Sequence, residues 1–178
     1  MAAWPLPEIG PHALPGPGEP GSFWEERGDR YHCGVDLYAP PGSPVASIEE
    51  GRVLCTGIQT DPSGRPYWQR TYFVCILQGD GYVLRYAELG DLEVGAGDPV
   101  AEGQIIGHVG VVIDASRVDR RAPPYIRRLA AGDHFSMLHL EVYRSVLRAD
   151  PRYSGGNWLD GNRPSFLCDP AVILGTPG

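Results

Sequence analysis

Two side chains four residues apart could do chemistry together: His32 and Asp36, in the run Tyr31-His-Cys-Gly-Val-Asp-Leu37. Residues at that spacing share a face in an extended strand and in a helix alike. Gly34 and the Pro40-Pro41 pair favour extended chain. An imidazole and a carboxylate on one face suit a divalent cation of borderline softness, zinc first, although the same pair also suits an ordinary surface contact. A third candidate, His139, lies in Ser136-Met-Leu-His-Leu-Glu-Val-Tyr143. Alternation there sends Leu138, Leu140 and Val142 to the core and Met137, His139, Glu141 and Tyr143 to the opposite face. Rigid presentation on a strand suits a third metal ligand, and equally a buried histidine held by hydrogen bonds. Three protein ligands would leave zinc a fourth position for water or substrate.

The elements that must position these groups read as mainly β. Runs with a period near two cover Arg52 to Ile58, Thr71 to Leu77, Tyr82 to Leu89, Gln104 to Ile113 and Ser136 to Tyr143. Gln78-Gly-Asp-Gly81 has the turn chemistry to join the second and third runs as a hairpin, so antiparallel pairing follows. Residues 1–21 carry six prolines and form an extended Pro-rich arm, while 22–178 form a single domain. Within it, about residues 114–133 read as an insertion, with five arginines around Pro123-Pro124 and a short helix predicted over Tyr125 to Ala131. That segment either borders a cleft and recognises carboxylates, or is a solvated loop.

Composition removes several functions. The 178 residues suffice for one domain, and 42% hydrophobic with 21% charged residues is globular. All 15 basic residues are Arg, so Schiff-base chemistry, lipoylation and biotinylation are excluded. A net charge of -7 opposes general binding to nucleic acid. No apolar run is long enough to span a bilayer as a helix. The N-terminus shows no secretory signal, which gives a cytoplasmic expectation unless the chain has been trimmed. Cys33, Cys55, Cys75 and Cys168 show no C-x-x-C spacing and are expected to be free thiols. Whether Cys55 and Cys75, on successive strands, lie close enough to pair is left to geometry. The sequence gives no indication of oligomeric state.

Taken in order, the segments resemble a known family. Tyr31-His-Cys-Gly-Val-Asp-Leu-Tyr-Ala-Pro-Pro-Gly-Ser-Pro-Val45, followed by Gly51-Arg-Val53, is similar to the first motif of the LytM/lysostaphin-type zinc metallopeptidases. Leu138-His-Leu-Glu-Val142 resembles the second half of their H-x-H-x-E motif, and Glu93 to Gly110 their Gly-Asp-x-Val-x-x-Gly-Gln-x-Ile-Gly segment. Arg163 to Leu174 resembles their closing Asp-Pro segment. The resemblance implies an antiparallel β-sandwich or barrel-sandwich hybrid. It also implies Zn2+ held by His32, Asp36 and His139, and hydrolysis of Gly-rich or peptidoglycan peptides.

Two positions depart from that pattern. The family's assisting histidines, which move protons and stabilise the tetrahedral intermediate, are replaced by Met137 and by Glu88 in Tyr86-Ala-Glu-Leu89. A thioether carries no proton near neutral pH, whereas Glu88 could serve as a general base. His134, on the opposite face of an unbroken strand, could supply an imidazole only if the preceding loop folds inward. His12 and His108 read as surface or structural residues, though an arm carrying His12 could fold over the metal. The alternative to a hydrolase is a zinc-bearing recognition or structural domain of the same fold that has lost turnover.

Overall fold

The computed structural model describes residues 3–132, 135–145 and 149–175. Twelve strands and two short α-helices are present among them. The first three strands are β1 (Tyr31–His32), β2 (Val35–Tyr38) and β3 (Pro44–Ala46). Two longer ones follow, β4 (Gly51–Thr60) and β5 (Thr71–Gln78), then β6 (Val83–Leu92), β7 (Pro99–Val100) and β8 (Ile105–Val109). Helix α1 (Pro124–Ala131) precedes β9 (Met137–Tyr143). The chain finishes with β10 (Tyr153–Ser154), β11 (Asn157–Trp158), β12 (Leu167–Cys168) and α2 (Ala171–Leu174).

All named pairings are antiparallel, as the turn chemistry required. The main sheet runs β12-β9-β6-β5-β4-β7, with β2 also on β9, and β8 joining β6 to β3. A small sheet has the order β1-β11-β10. β5 and β6 form the hairpin predicted across residues 78–81, with Leu77 opposite Val83. The expected strand over 104–113 stops at Val109, where Gly110 approaches Gly90 so closely that a Cβ on Gly110 would lie 2.8 Å from the Gly90 nitrogen.

Leu138, Leu140 and Val142 face the main core with Leu37, Leu84 and Tyr86, as alternation dictated. Burying each such side chain contributes about 1.5–3 kcal/mol, so a one-residue slip of β9 would lose several of these terms and bury His139 and Glu141 in apolar surroundings. The register is therefore fixed. The other face of β9 is not solvent-facing: all seven of its residues are buried. Met137 lies under a second apolar cluster with Tyr67, Val112, Ile113 and Ile126 of α1. Tyr143 lies under a third, with Cys33 and Trp158 of the small sheet. His139 sits between these two covers.

The Pro-rich segment is packed in irregular structure. Leu6 is fully buried in the main core, and Ala46 N–H donates to Pro5 C=O at 2.9 Å. His12 packs edge-on against Trp4 at 5.3 Å between ring centroids and does not line the cleft described below. His108 pairs with Asp91 at 2.8 Å on the surface. No described helix is long and apolar enough to cross a membrane.

Candidate metal centre

Pairing places Asp36 of β2 directly opposite His139 of β9. His32 enters from β1, where it pairs with Asn157 of β11. His32 Nε2 lies 2.9 Å from His139 Nδ1 and 3.2 Å from Asp36 Oδ1, and His139 Nδ1 lies 2.9 Å from Asp36 Oδ1. Ligands of a tetrahedral zinc ion, each about 2.0–2.1 Å from the metal, stand about 3.3 Å apart. The triangle is a few tenths of an ångström tighter than that and needs only a small expansion.

The outer partners of the two rings decide what these atoms offer. His32 Nδ1–H donates to the Ser22 carbonyl at 2.8 Å, which leaves a lone pair on Nε2. Burial, reinforced by the Arg27 charge, lowers the His32 pKa and keeps the ring neutral. His139 Nε2–H donates to Glu141 Oε1 at 2.9 Å. Asp36 stays ionised: burial opposes this, but the protonated His139 ring hydrogen-bonded to it outweighs the burial and holds its pKa well below the usual carboxylate range. Two acceptors, His32 Nε2 and Asp36 Oδ1, thus point at His139 Nδ1. They demand a cation or a proton there. Without metal the proton is retained: burial alone would lower the His139 pKa, but Asp36 and Glu141 raise it to about 10. A divalent cation satisfies all three atoms at once, so the donor set fits zinc.

Several residues behind the triad were not singled out as site residues from the sequence. Glu141, fully buried, accepts from His139, Tyr143 Oη and Tyr153 Oη, and lies 3.6 Å from Arg85 Nε. Its place two residues from His139 on the same strand face was the available signal. Arg27 donates to the second oxygen of Asp36, Oδ2, at 3.2 Å and to Glu25 Oε2 at 2.9 Å. Gly156, with φ +82°, lets its turn lie flat on His139, since a Cβ there would come 2.8 Å from Nε2. Replacing Glu141 by Gln is expected to lower zinc affinity about 10–100-fold, because the ring loses its anionic partner. Competition titration with a zinc chelator measures this; unchanged affinity would deny Glu141 that part.

Glu88 is placed by a break in β6. Between β5 and β6 the register steps from Tyr72↔Leu89 to Phe73↔Ala87, leaving Glu88 as the extra residue of a bulge with φ +66°. Unbroken alternation would have aimed it into the core beside Tyr86. Instead it lines the same cleft as Asp36, Met137 and His139, and its Oε2 is buried with no hydrogen-bond partner among the described residues. Burial, then the Asp36 charge, pushes its pKa up to about 8. His134 lies outside the described residues.

The cleft has a volume of about 810 Å³. One wall is the β4–β5 connection with Arg65, Tyr67 and Trp68; another is α1 with Tyr125, Ile126 and Leu129. The insertion therefore borders the cleft, but of its five arginines only Arg128 lines it, and Arg128 is held by Glu25 at 3.0 Å. Its contribution is largely apolar, not a patch for carboxylates.

Comparison with known proteins agrees with the fold. Residues 30–121 match the model of Peptidase family M23. The chain is similar to the antimicrobial peptidase lysostaphin from Staphylococcus simulans at 21% identity and a TM-score of 0.50, covering 81% of this chain and 43% of that one. Against the catalytic domain of lysostaphin the identity is 23%, the coverage 81% and 79%, and the TM-score 0.49. A zinc containing peptidase from Vibrio cholerae is 25% identical over 63% of this chain and 26% of its own, with a TM-score of 0.41. No curated protein sequence matches.

Proposed function

The chain belongs to peptidase family M23, and from that premise we propose that it is a zinc-dependent peptide hydrolase acting on Gly-rich or peptidoglycan-type peptides, with Glu88 as its proton carrier. The observation that carries this reading is the convergence of His32 Nε2, Asp36 Oδ1 and His139 Nδ1 within 2.9–3.2 Å of one another. When bound, zinc supplies polarisation of the scissile carbonyl and a water of lowered pKa.

The chain's own residues do the rest. His32, Asp36 and His139 would hold the ion, with Ser22, Arg27 and Glu141 orienting them. Glu88 Oε2 takes a proton from the attacking water and passes it to the leaving amine nitrogen. A carboxyl whose pKa lies near the working pH suits both halves of that transfer. Tyr67, Trp68 and Tyr125 line the cleft along which an extended peptide lies.

One observation favours the second reading, a zinc-bearing domain that binds peptide without cutting it. Met137, 3% exposed and packed with Ile126 and Val112, puts an apolar cluster where the resemblance expects an assisting imidazole. Zinc-loaded protein is to be assayed on glycyl peptides and wall fragments beside Glu88→Gln and Met137→His. We expect cleavage by the parent and a loss of about 10²–10⁴-fold in Glu88→Gln. Cleavage by Met137→His alone, with an inert parent, would establish the second reading instead.

A further inference from the structure

The row of opposed residues that starts at Glu141 continues across the sheet. Glu141 pairs with Arg85 of β6, Arg85 with Cys75 of β5, and Cys75 with Cys55 of β4. The last pairing exists because of a bulge. Carried on from Val53↔Ile76, the register would set Leu54 opposite Cys75; a shift between Val53 and Cys55 lets Leu54 out and brings Cys55 across. Both thiols are free, Cys55 exposed and Cys75 half-buried.

Directly opposed residues of an antiparallel pair have Cα atoms about 4.5–5.5 Å apart and project from one face, which falls inside the about 4.4–6.8 Å window of disulfides. Cys33 and Cys168 have no such partner: both are buried, and Cys168 pairs with Val142. We propose that Cys55 and Cys75 are a modification site, joined as a cross-strand disulfide by exchange with a small-molecule disulfide of the glutathione class.

The exposed Cys55 thiol loses its proton to solvent and its thiolate attacks one sulfur of the oxidant. That S–S bond breaks, one glutathione thiolate leaves with the electron pair, and a mixed disulfide remains on Cys55. Cys75 then loses its proton and attacks the Cys55 sulfur, expelling the second glutathione. Two protein thiols are oxidised and one glutathione disulfide is reduced to two glutathiones. Burial pushes the Cys75 thiol up to about 12, so Cys55 is the first to react. Arg85 Nη1, 3.7 Å from Cys75 Sγ, is placed to steady the second thiolate as it forms.

The bridge would cross the middle of the β4–β5 hairpin, whose far end carries Arg65, Tyr67 and Trp68 into the cleft. The site needs no metal, so its test is separate from that of the hydrolase reading. The reduced 178-residue chain is incubated with glutathione disulfide, denatured, and its remaining thiols counted. We expect the four thiols to fall to two. A tryptic digest without reductant should then join Val53–Arg70, left whole because Pro66 follows Arg65, to Thr71–Arg85. In Cys55→Ser, whose substitution is at an exposed position, the bridged peptide should be absent and Cys75 should remain a thiol. Four surviving thiols, a stable glutathione adduct on Cys55, or a bridge through Cys33 or Cys168 would each overturn the proposal.

Discussion

Zinc should be lost almost completely from His139→Ala. Protein purified without added metal is expected to hold about one zinc per chain, and the variant less than a tenth of that. The loss should exceed the about 100-fold that removal of an outer hydrogen-bond partner costs, because His139 supplies one of three converging atoms. The substitution also leaves Glu141 without the imidazole that it accepts from, and removing one member of a buried ion pair costs about 3–5 kcal/mol. His32→Ala separates the two effects. His32 contacts Ser22, Asp36 and His139, and no contact with Glu141 is found among the described residues. Elemental analysis should show both variants empty of zinc, while urea unfolding should show the larger stability loss in His139→Ala. Full zinc content in either variant would remove that residue from the ligand set.

Gly34→Ala is expected to destabilise the fold by about 3 kcal/mol or more, the upper end of what overpacking costs. A Cβ at Gly34 would lie 2.3 Å from the Leu140 carbonyl oxygen and 3.0 Å from His139 Cε1. The first of these is backbone in the centre of β9, paired on both sides, so relief requires β2 to move off its partner. That movement would also part Asp36 from His139. Gly79→Ala is the control, since nothing lies within 4 Å of its added Cβ and its φ is ordinary; a change within about 0.5 kcal/mol is expected there. Urea unfolding at unchanged slope measures both. Equal midpoints for the two variants would mean that the contact at Gly34 is not limiting.

Much of the scaffold was legible because period and turn chemistry are local properties. The hairpin at residues 78–81, the strand holding His139 and the helix before it arise where the pattern put them. The side of β9 that carries His139 was legible too, but its burial was not. Alternation says which residues share a face; it does not say that α1 and the small sheet will cover that face at either end. The same limit applies to the insertion. Its arginines stand out in the sequence, yet Tyr125, Ile126 and Leu129 are what the fold turns toward the cleft.

The sequence by itself determined the antiparallel β class, the motifs that mark the family, and the residue types available for chemistry, including the complete absence of Lys. These follow from composition and from short-range order along the chain. Only the tertiary structure decided that Glu88 leaves the core for the cleft, that Cys55 and not Leu54 faces Cys75, and that Ser22 and Glu141 set which nitrogens of His32 and His139 carry lone pairs. The first two depend on a bulge and the third on hydrogen-bond geometry that exists only once β1, β2 and β9 are in place.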